Sequence, residues 1–429
     1  MRSLVASLVF CIQFLLPWQS AKAQLRGHGG PVRSLAVSAD GAAALSGSFD
    51  TSAIRWSLKS GTAEQVFRFH DGAVNAVAFL PRDGRLVTAG EDARIAVWTP
   101  GHQAPDIVLQ GHKGPIAGVA VSPDGLLLAS ASWDRTVRLW PLAGGEPRVL
   151  EGHSQNVNAV AFASSGKALI SAGYDATVRI WPVDGKTPPL VIALAAPLNA
   201  VAAAGDGEIA AAGADGKVYF LSGQGKQTGL VEAASAPIVS LSLSADGGRI
   251  AAASIGGPIA IIDRKSHSLS RSLLGPGLPA WSLAFLPDGR TLLAGGPDGV
   301  IRQWDADTGK PVPSATFAGK DDPLAAYAGD RGAEVFRACI ACHALKPDSG
   351  NRAGPSLHGI FGRHIASLPG YNYSEALKHL DIVWTPETIA KLFEIGPAKY
   401  TPGTKMPEQH IGSAEDREAL IKFLQRATK

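Results

Sequence analysis

Residues 111–140 read GHKGPIAGVAVSPDGLLLASASWDRTVRLW, and the architecture follows from this stretch. It opens on Gly111-His112, runs through the alternating Gly118-Val119-Ala120-Val121, and turns at Pro123-Asp124-Gly125. A second alternating run, Thr136-Val137-Arg138-Leu139, leads from Asp134 to Trp140. Short alternating runs parted by such turns read as antiparallel strands with one face in a core. The same markers recur on both sides. Gly27-His28 and Gly152-His153 repeat the opening, with Phe69-His70 in the matching place. Trp56, Trp98, Trp140 and Trp181 close four segments, and both His and Trp advance by 42, 42 and 41 residues. Asp50, Asp92, Asp134 and Asp175 each stand six residues before their Trp. Three weaker units follow at Ala214-Asp215-Gly216, at Gly256-Gly257 where the aspartate is lost, and at Pro297-Asp298-Gly299, after which Trp304-Asp305 restores the closing pair. Seven units result.

A period near 40–45 residues with Gly-His and Trp-Asp signatures resembles the WD-repeat β-propeller family, from about Leu25 to Lys310. The resemblance implies an all-β seven-bladed propeller over residues 24–318. It also implies one hydrogen-bonded set per blade: His112, Ser132, Asp134 and Trp140 in the third, His153, Ser171, Asp175 and Trp181 in the fourth. Units five and six lack the His and the Trp and are expected to rest on apolar packing. His102 and His267 fall out of phase and are expected at the surface. The outer strand of the last blade comes either from Pro311 to Phe317 or from the residues at Leu25. One fold hosts many activities, so the propeller alone implies a platform for partners and no reaction.

The remaining bulk features narrow the class. Charged residues make up 18% of 429 and the formal net charge is +3, too small a footprint for nucleic acid. Met1-Arg2-Ser3 is a basic start, Leu4 to Leu16 is largely apolar, and Ala21-Lys22-Ala23 has the form of a cleavage site. Residues 1–23 therefore read as a signal peptide, too short in its apolar run for a membrane span. The expectation is an exported, soluble, periplasmic protein with no stable span after cleavage. Cleavage removes Cys11 and leaves Cys339 and Cys342 alone.

Period and composition change after Trp304-Asp305. Residues 319–329 read as a linker, and residues 330–429 as a small all-α domain. Asp330, Thr385-Pro386 and Ser413 are helix starts. Three helices with long Gly- and Pro-rich loops make a poor core, so something else must fill the middle. Cys339-Ile340-Ala341-Cys342-His343 supplies it: two thiols at this spacing can each add to a haem vinyl group, with the next His under the iron. A thioredoxin-like pair would want a βαβ setting, and a zinc site would want further Cys ligands. Apart from Met1 the chain has only Met406, a thioether suited to the opposite face of a low-spin haem.

From Gly332 to Lys429 the chain resembles class I, mitochondrial-type cytochrome c. The loop Asn351 to Arg363 carries the likeness together with the haem motif. The resemblance implies one covalently attached haem c on Cys339 and Cys342, with His343 and Met406 on the metal. It gives the Pro355 carbonyl the role of accepting a hydrogen bond from His343. It places Arg363, Tyr371, Tyr373 and Trp384 around the haem propionates, and sets Gly332 and Phe336 where the first and last helices meet. Phe393, Leu377 and Glu408 depart from the family pattern near the haem, and the basic ring is thin, with Lys399 and Lys405 offset by Glu394 and Glu408. With both axial positions filled, the expected function is single-electron transfer to or from a redox protein docked by the propeller, an electron carrier rather than a catalyst. A catalytic site in the propeller and a redox-sensing scaffold remain as alternatives.

Overall fold

An alternating strand buries one face only if another sheet covers it, and here the cover is the next copy of the same unit. The computed structural model describes residues 24–275, 278–312, 324–337, 339–340, 342–346, 354–371, 373–404, 406 and 409–429. The expected leader at 1–23, the first part of the linker (319–323), Asn351 to Ala353, Lys405 and Glu408 lie outside the described residues.

Among the described residues, strands form seven four-stranded antiparallel sheets, and in six of them the strands lie in chain order. Blade three is Ile116–Val121, Leu127–Ser132, Val137–Pro141 and Arg148–Leu150. The first strands of successive blades touch one another around a ring that Val32–Val37 and Ser282–Phe285 complete. They therefore surround the central axis. Each closing Trp packs against the blade before it: Trp140 lies with Val87, Ile95 and Val97 of blade two. Burying such a ring contributes roughly 4–6 kcal/mol of transfer free energy, before entropy is counted.

The polar set within a blade has one consistent proton order. Trp140 Nε1–H can only donate, and it does so to Ser130 Oγ at 2.8 Å. Ser130 then donates to His112 Nε2 at 2.7 Å, so Nδ1 carries the ring proton and donates to Asp134 at 2.8 Å. His28, Ser46, Asp50 and Trp56 repeat the set, as do His153, Ser171, Asp175 and Trp181. In blade two Thr88 takes the hydroxyl role. The expected hydroxyl in blade three is thus corrected from Ser132 to Ser130. Ser132 lies at the strand end, where it donates to the Gly114 carbonyl and accepts from Asp134 N–H.

Where the set is lost, substitutes appear. In blade five Tyr219 donates to Asp215 at 2.6 Å, so that blade does not rest on apolar packing alone. In blade seven Arg302 forks onto Asp298, and Trp304 Nε1 is buried with no acceptor among the described residues. His267, expected at the surface, is half-buried: its ring stacks on Phe220 at 4.2 Å and bonds Glu208 at 2.9 Å. His102 is exposed, as expected. The ring is closed from the N-terminal side. Gln24–Arg26 pairs with Val300–Asp305, with Leu25 opposite Ile301 and almost fully buried. Pro311 makes a single bridge to Trp304, and most of the rival segment lies outside the described residues.

The second domain is built on α1 (Arg331–Phe336), α2 (Glu375–Lys378), α3 (Pro386–Ile395), α4 (Pro397–Tyr400) and α5 (Ala414–Ala427). Asp330, Thr385 and Ser413 cap α1, α3 and α5 through their side chains. Gly332 lets α1 cross α5 closely, since a Cβ there would sit 2.1 Å from the Ala419 carbonyl oxygen. Phe336 packs beside the crossing, its ring 5.3 Å from that of Phe423. The domain is helical with one extended pairing at His364 and Val383, so the all-α expectation holds for the helices only.

Candidate functional site

Past α1 the backbone keeps turning. Cys339 N–H donates to the Phe336 carbonyl, Cys342 N–H to Cys339 at 3.0 Å, and His343 N–H to Cys339 at 2.9 Å. Positions i, i+3 and i+4 of a helical turn share one face, which brings Cys339, Cys342 and His343 together. The two thiols are buried and not joined in a disulfide. Burial, with a smaller contribution from Cys342, pushes the Cys339 thiol up to about 12. His343 Nδ1–H donates to the Pro355 carbonyl at 2.8 Å, so the ring is held with Nε2 as its remaining ligand atom. Gly354 makes that possible: a Cβ there would lie 2.4 Å from His343 Cε1.

These groups line a cavity of about 560 Å3. Leu357, Ile360, Leu392, Phe393, Leu420 and Leu424 make its walls apolar. Every expected site residue borders it: Cys339, Cys342, His343, Pro355, Arg363, Tyr371, Tyr373, Trp384 and Met406. Met406 arrives on the turn after α4, where its N–H donates to Thr404 Oγ1 at 3.0 Å and Thr404 N–H donates to the Thr401 carbonyl. Arg363 is anchored by the carbonyls of Ser356 at 2.7 Å and His358 at 3.1 Å, and burial lowers its pKa. Tyr371 and Tyr373 meet edge to face at 4.6 Å, and burial raises both phenols. Phe393 and Leu377 are on the lining too, so both departures from the family pattern bear on the cavity.

Three lining residues had no signal in the sequence. Val66, Arg68 and Gln103 come from the propeller, more than 200 positions before the cysteines. Gly354 lies in the loop Asn351 to Arg363, and only the structure gives it a role. Thr404, two residues before Met406, is legible only as a turn residue.

Residues 329–428 match the cytochrome c family. The cytochrome c of Cochliobolus lunatus is 44% identical over 100 residues, which are 23% of this chain and 92% of that protein. The chain belongs to the cytochrome c family. Its cytochrome domain is also 44% identical over 100 residues to the cytochrome c of Arabidopsis thaliana, covering 88% of that protein. Residues 19–57, 61–99, 104–141, 144–182 and 268–305 match the WD domain, G-beta repeat. The unmatched interval, 183–267, holds blade five and the first three strands of blade six, where the His and Trp markers are missing. The WD40 beta propeller domain of Doa1 superposes with a TM-score of 0.60 at 22% identity, over 66% of this chain and 96% of its own. That likeness is one of fold.

The cofactor of the cytochrome domain is a covalently attached haem c. The residues present fit it. A cavity of this size is ordinary for a cofactor, its walls are apolar, and two unbridged thiols and an oriented imidazole face into it. Cys339 and Cys342 would hold the macrocycle as thioethers.

Proposed function

We propose that this protein is an exported, periplasmic carrier of single electrons, in which His343 and Met406 would bind the iron and the propeller is the docking platform for a redox protein. The observation that carries the reading is the convergence of Cys339, Cys342, His343 and Met406 on one apolar cavity, with His343 oriented by Pro355. When bound, haem c supplies a one-electron couple. The chain's own residues do the rest. Pro355 holds the imidazole in one tautomer and raises its basicity. The leucines, Ile360 and Phe393 exclude water, and Arg363 stands ready beside Tyr373 for the acidic edge of the macrocycle. Thr401 and Thr404 hold Met406 on a hydrogen-bonded turn at the cavity, where its thioether would be available to the iron. Export is supported by the leader pattern of residues 1–23.

The test is a reduced-minus-oxidised spectrum with a pyridine haemochrome assay on protein matured in a periplasm, together with Met406→Ala. One haem per chain and a low-spin spectrum are expected. Met406→Ala should lower the midpoint potential and let added imidazole bind. An unchanged spectrum in that variant would sink the axial assignment. A second chromophore or a high-spin iron in the parent would move the search for chemistry to the propeller channel.

A further inference from the structure

The cytochrome domain does not wall its cavity alone. Arg68 ends the outer strand of blade one, Thr62–Arg68, and its Nη2 donates to Cys342 Sγ at 3.6 Å across 274 positions of chain. Val66 stands two residues earlier, so the two side chains leave the same face of the strand. Phe67 between them turns the other way, its ring 4.9 Å from that of Trp98. Val66 is 7% exposed and packs in one apolar cluster with Cys342, Leu25 and Ile301. Gln103, the third propeller residue on the lining, follows a loop that the same strand holds. Gln65 accepts from Gly101 N–H at 2.7 Å and donates to the His102 carbonyl at 2.6 Å. Charge is felt across the same boundary. Burial raises the Tyr371 phenol while Arg68 acts against it. Burial and Arg302 lower Arg26 of the closing strand, while Glu334 of α1 acts the other way.

We propose that the outer strand of blade one completes the haem site, with Val66 covering the thioether at Cys342 and Arg68 acting as a cofactor-contacting cation that raises the reduction potential. The physical argument is short. Reduction adds one negative charge to the site, and a fixed guanidinium beside the macrocycle favours the form that carries it. Val66 keeps water from screening that attraction, and Coulomb energy grows as the local dielectric falls. The strand is rigid because it is hydrogen-bonded along its length to Ser52–Ser57, so the charge is held in place by the blade. The inference rests on haem c at Cys339 and Cys342 and is independent of which residues are axial.

The experiment uses the full-length, haem-loaded chain and the variants Arg68→Glu, Arg68→Gln and Arg68→Lys. A pyridine haemochrome assay on each comes first, so that loss of haem is told apart from loss of the contact. Midpoint potentials are then measured by spectroelectrochemical titration. Arg68→Glu is expected to lower the reduced-to-oxidised ratio at a fixed mediator potential about three- to tenfold, which is about 30–60 mV at 59 mV per decade for one electron. Arg68→Gln should give roughly half that shift, and it carries the test if the glutamate variant holds no haem. Arg68→Lys, which keeps the charge, should stay close to the parent. Overlapping titrations for parent, Gln and Glu forms would overturn the proposal. So would a Lys variant that shifts as far as the Glu variant, since charge would then not be the agent.

Discussion

Replacing Ser130 by alanine keeps every backbone bond of blade three and removes one oxygen from its centre. That oxygen accepts from Trp140 Nε1 at 2.8 Å and donates to His112 Nε2 at 2.7 Å, in a position with no exposed surface. Trp140 is 3% exposed and His112 7%, so neither ring can turn to water. Each of the two stranded buried groups costs about 1–3 kcal/mol, which makes the expected loss about 2–6 kcal/mol. Urea unfolding of the full chain, followed by tryptophan fluorescence, should show the propeller transition shifted down by about 1 M at unchanged slope. The protein offers the reverse test in its own seventh blade. Ala294 lies opposite Arg302 as Ser130 lies opposite Arg138, and Trp304 Nε1 there lacks an acceptor among the described residues. Ala294→Ser should therefore stabilise by about 1 kcal/mol, the net worth of one hydrogen bond. The reasoning is refuted if Ser130→Ala moves the midpoint no further than the exposed Ser165→Ala.

Three further outcomes follow from the same geometry. Gly332→Ala would gain about 1 kcal/mol of helix propensity but must force α1 from α5. Overpacking of about 1–3 kcal/mol or more should win and lower the haem domain's melting temperature by several degrees, so a rise would count against the close crossing. Gly354→Ala should displace the His343 ring, and a parental haem yield with a parental visible spectrum would show that the contact is not restrictive. The propeller should lose stability in acid. Burial pushes Asp134 up, but bonds from His112, Lys113 N–H and Thr136 outweigh it and hold the carboxyl well below its usual range. Its contribution is present above the unfolded value near 4 and is lost as pH falls through the folded one. Burial lowers His153, whose contribution likewise starts to fade below about pH 6.5. Asp134→Asn should flatten the acid limb of a melting-temperature profile, and an unchanged profile would refute the assignment.

Much of the molecule is local, and local features are written in order. The repeat was legible because each blade needs its own turn, strand and closing Trp at a constant spacing, and the structure returns seven sheets at that spacing. The nine expected site residues all border one cavity; the Cys339 to His343 turn is local, and the Pro355 carbonyl that His343 reaches lies only twelve residues further on. Two near-neighbours were harder. Ser130 and Ser132 share a strand face and differ only in which one the His and Trp rings reach, which depends on the depth of the blade.

What the sequence determined by itself was therefore the kind of parts: a seven-unit propeller, a haem-binding turn, a methionine loop. What only the tertiary structure decided was how distant parts close on each other. Leu25 finds Ile301 because the first and last units of a ring must meet, and no periodicity records which strand will do it. Arg68 finds Cys342 because two separate surfaces are complementary, and a strand pattern looks the same whether its outer face meets solvent or a cofactor. Contacts between surfaces cost the sequence no spacing rule, and so they leave none to read.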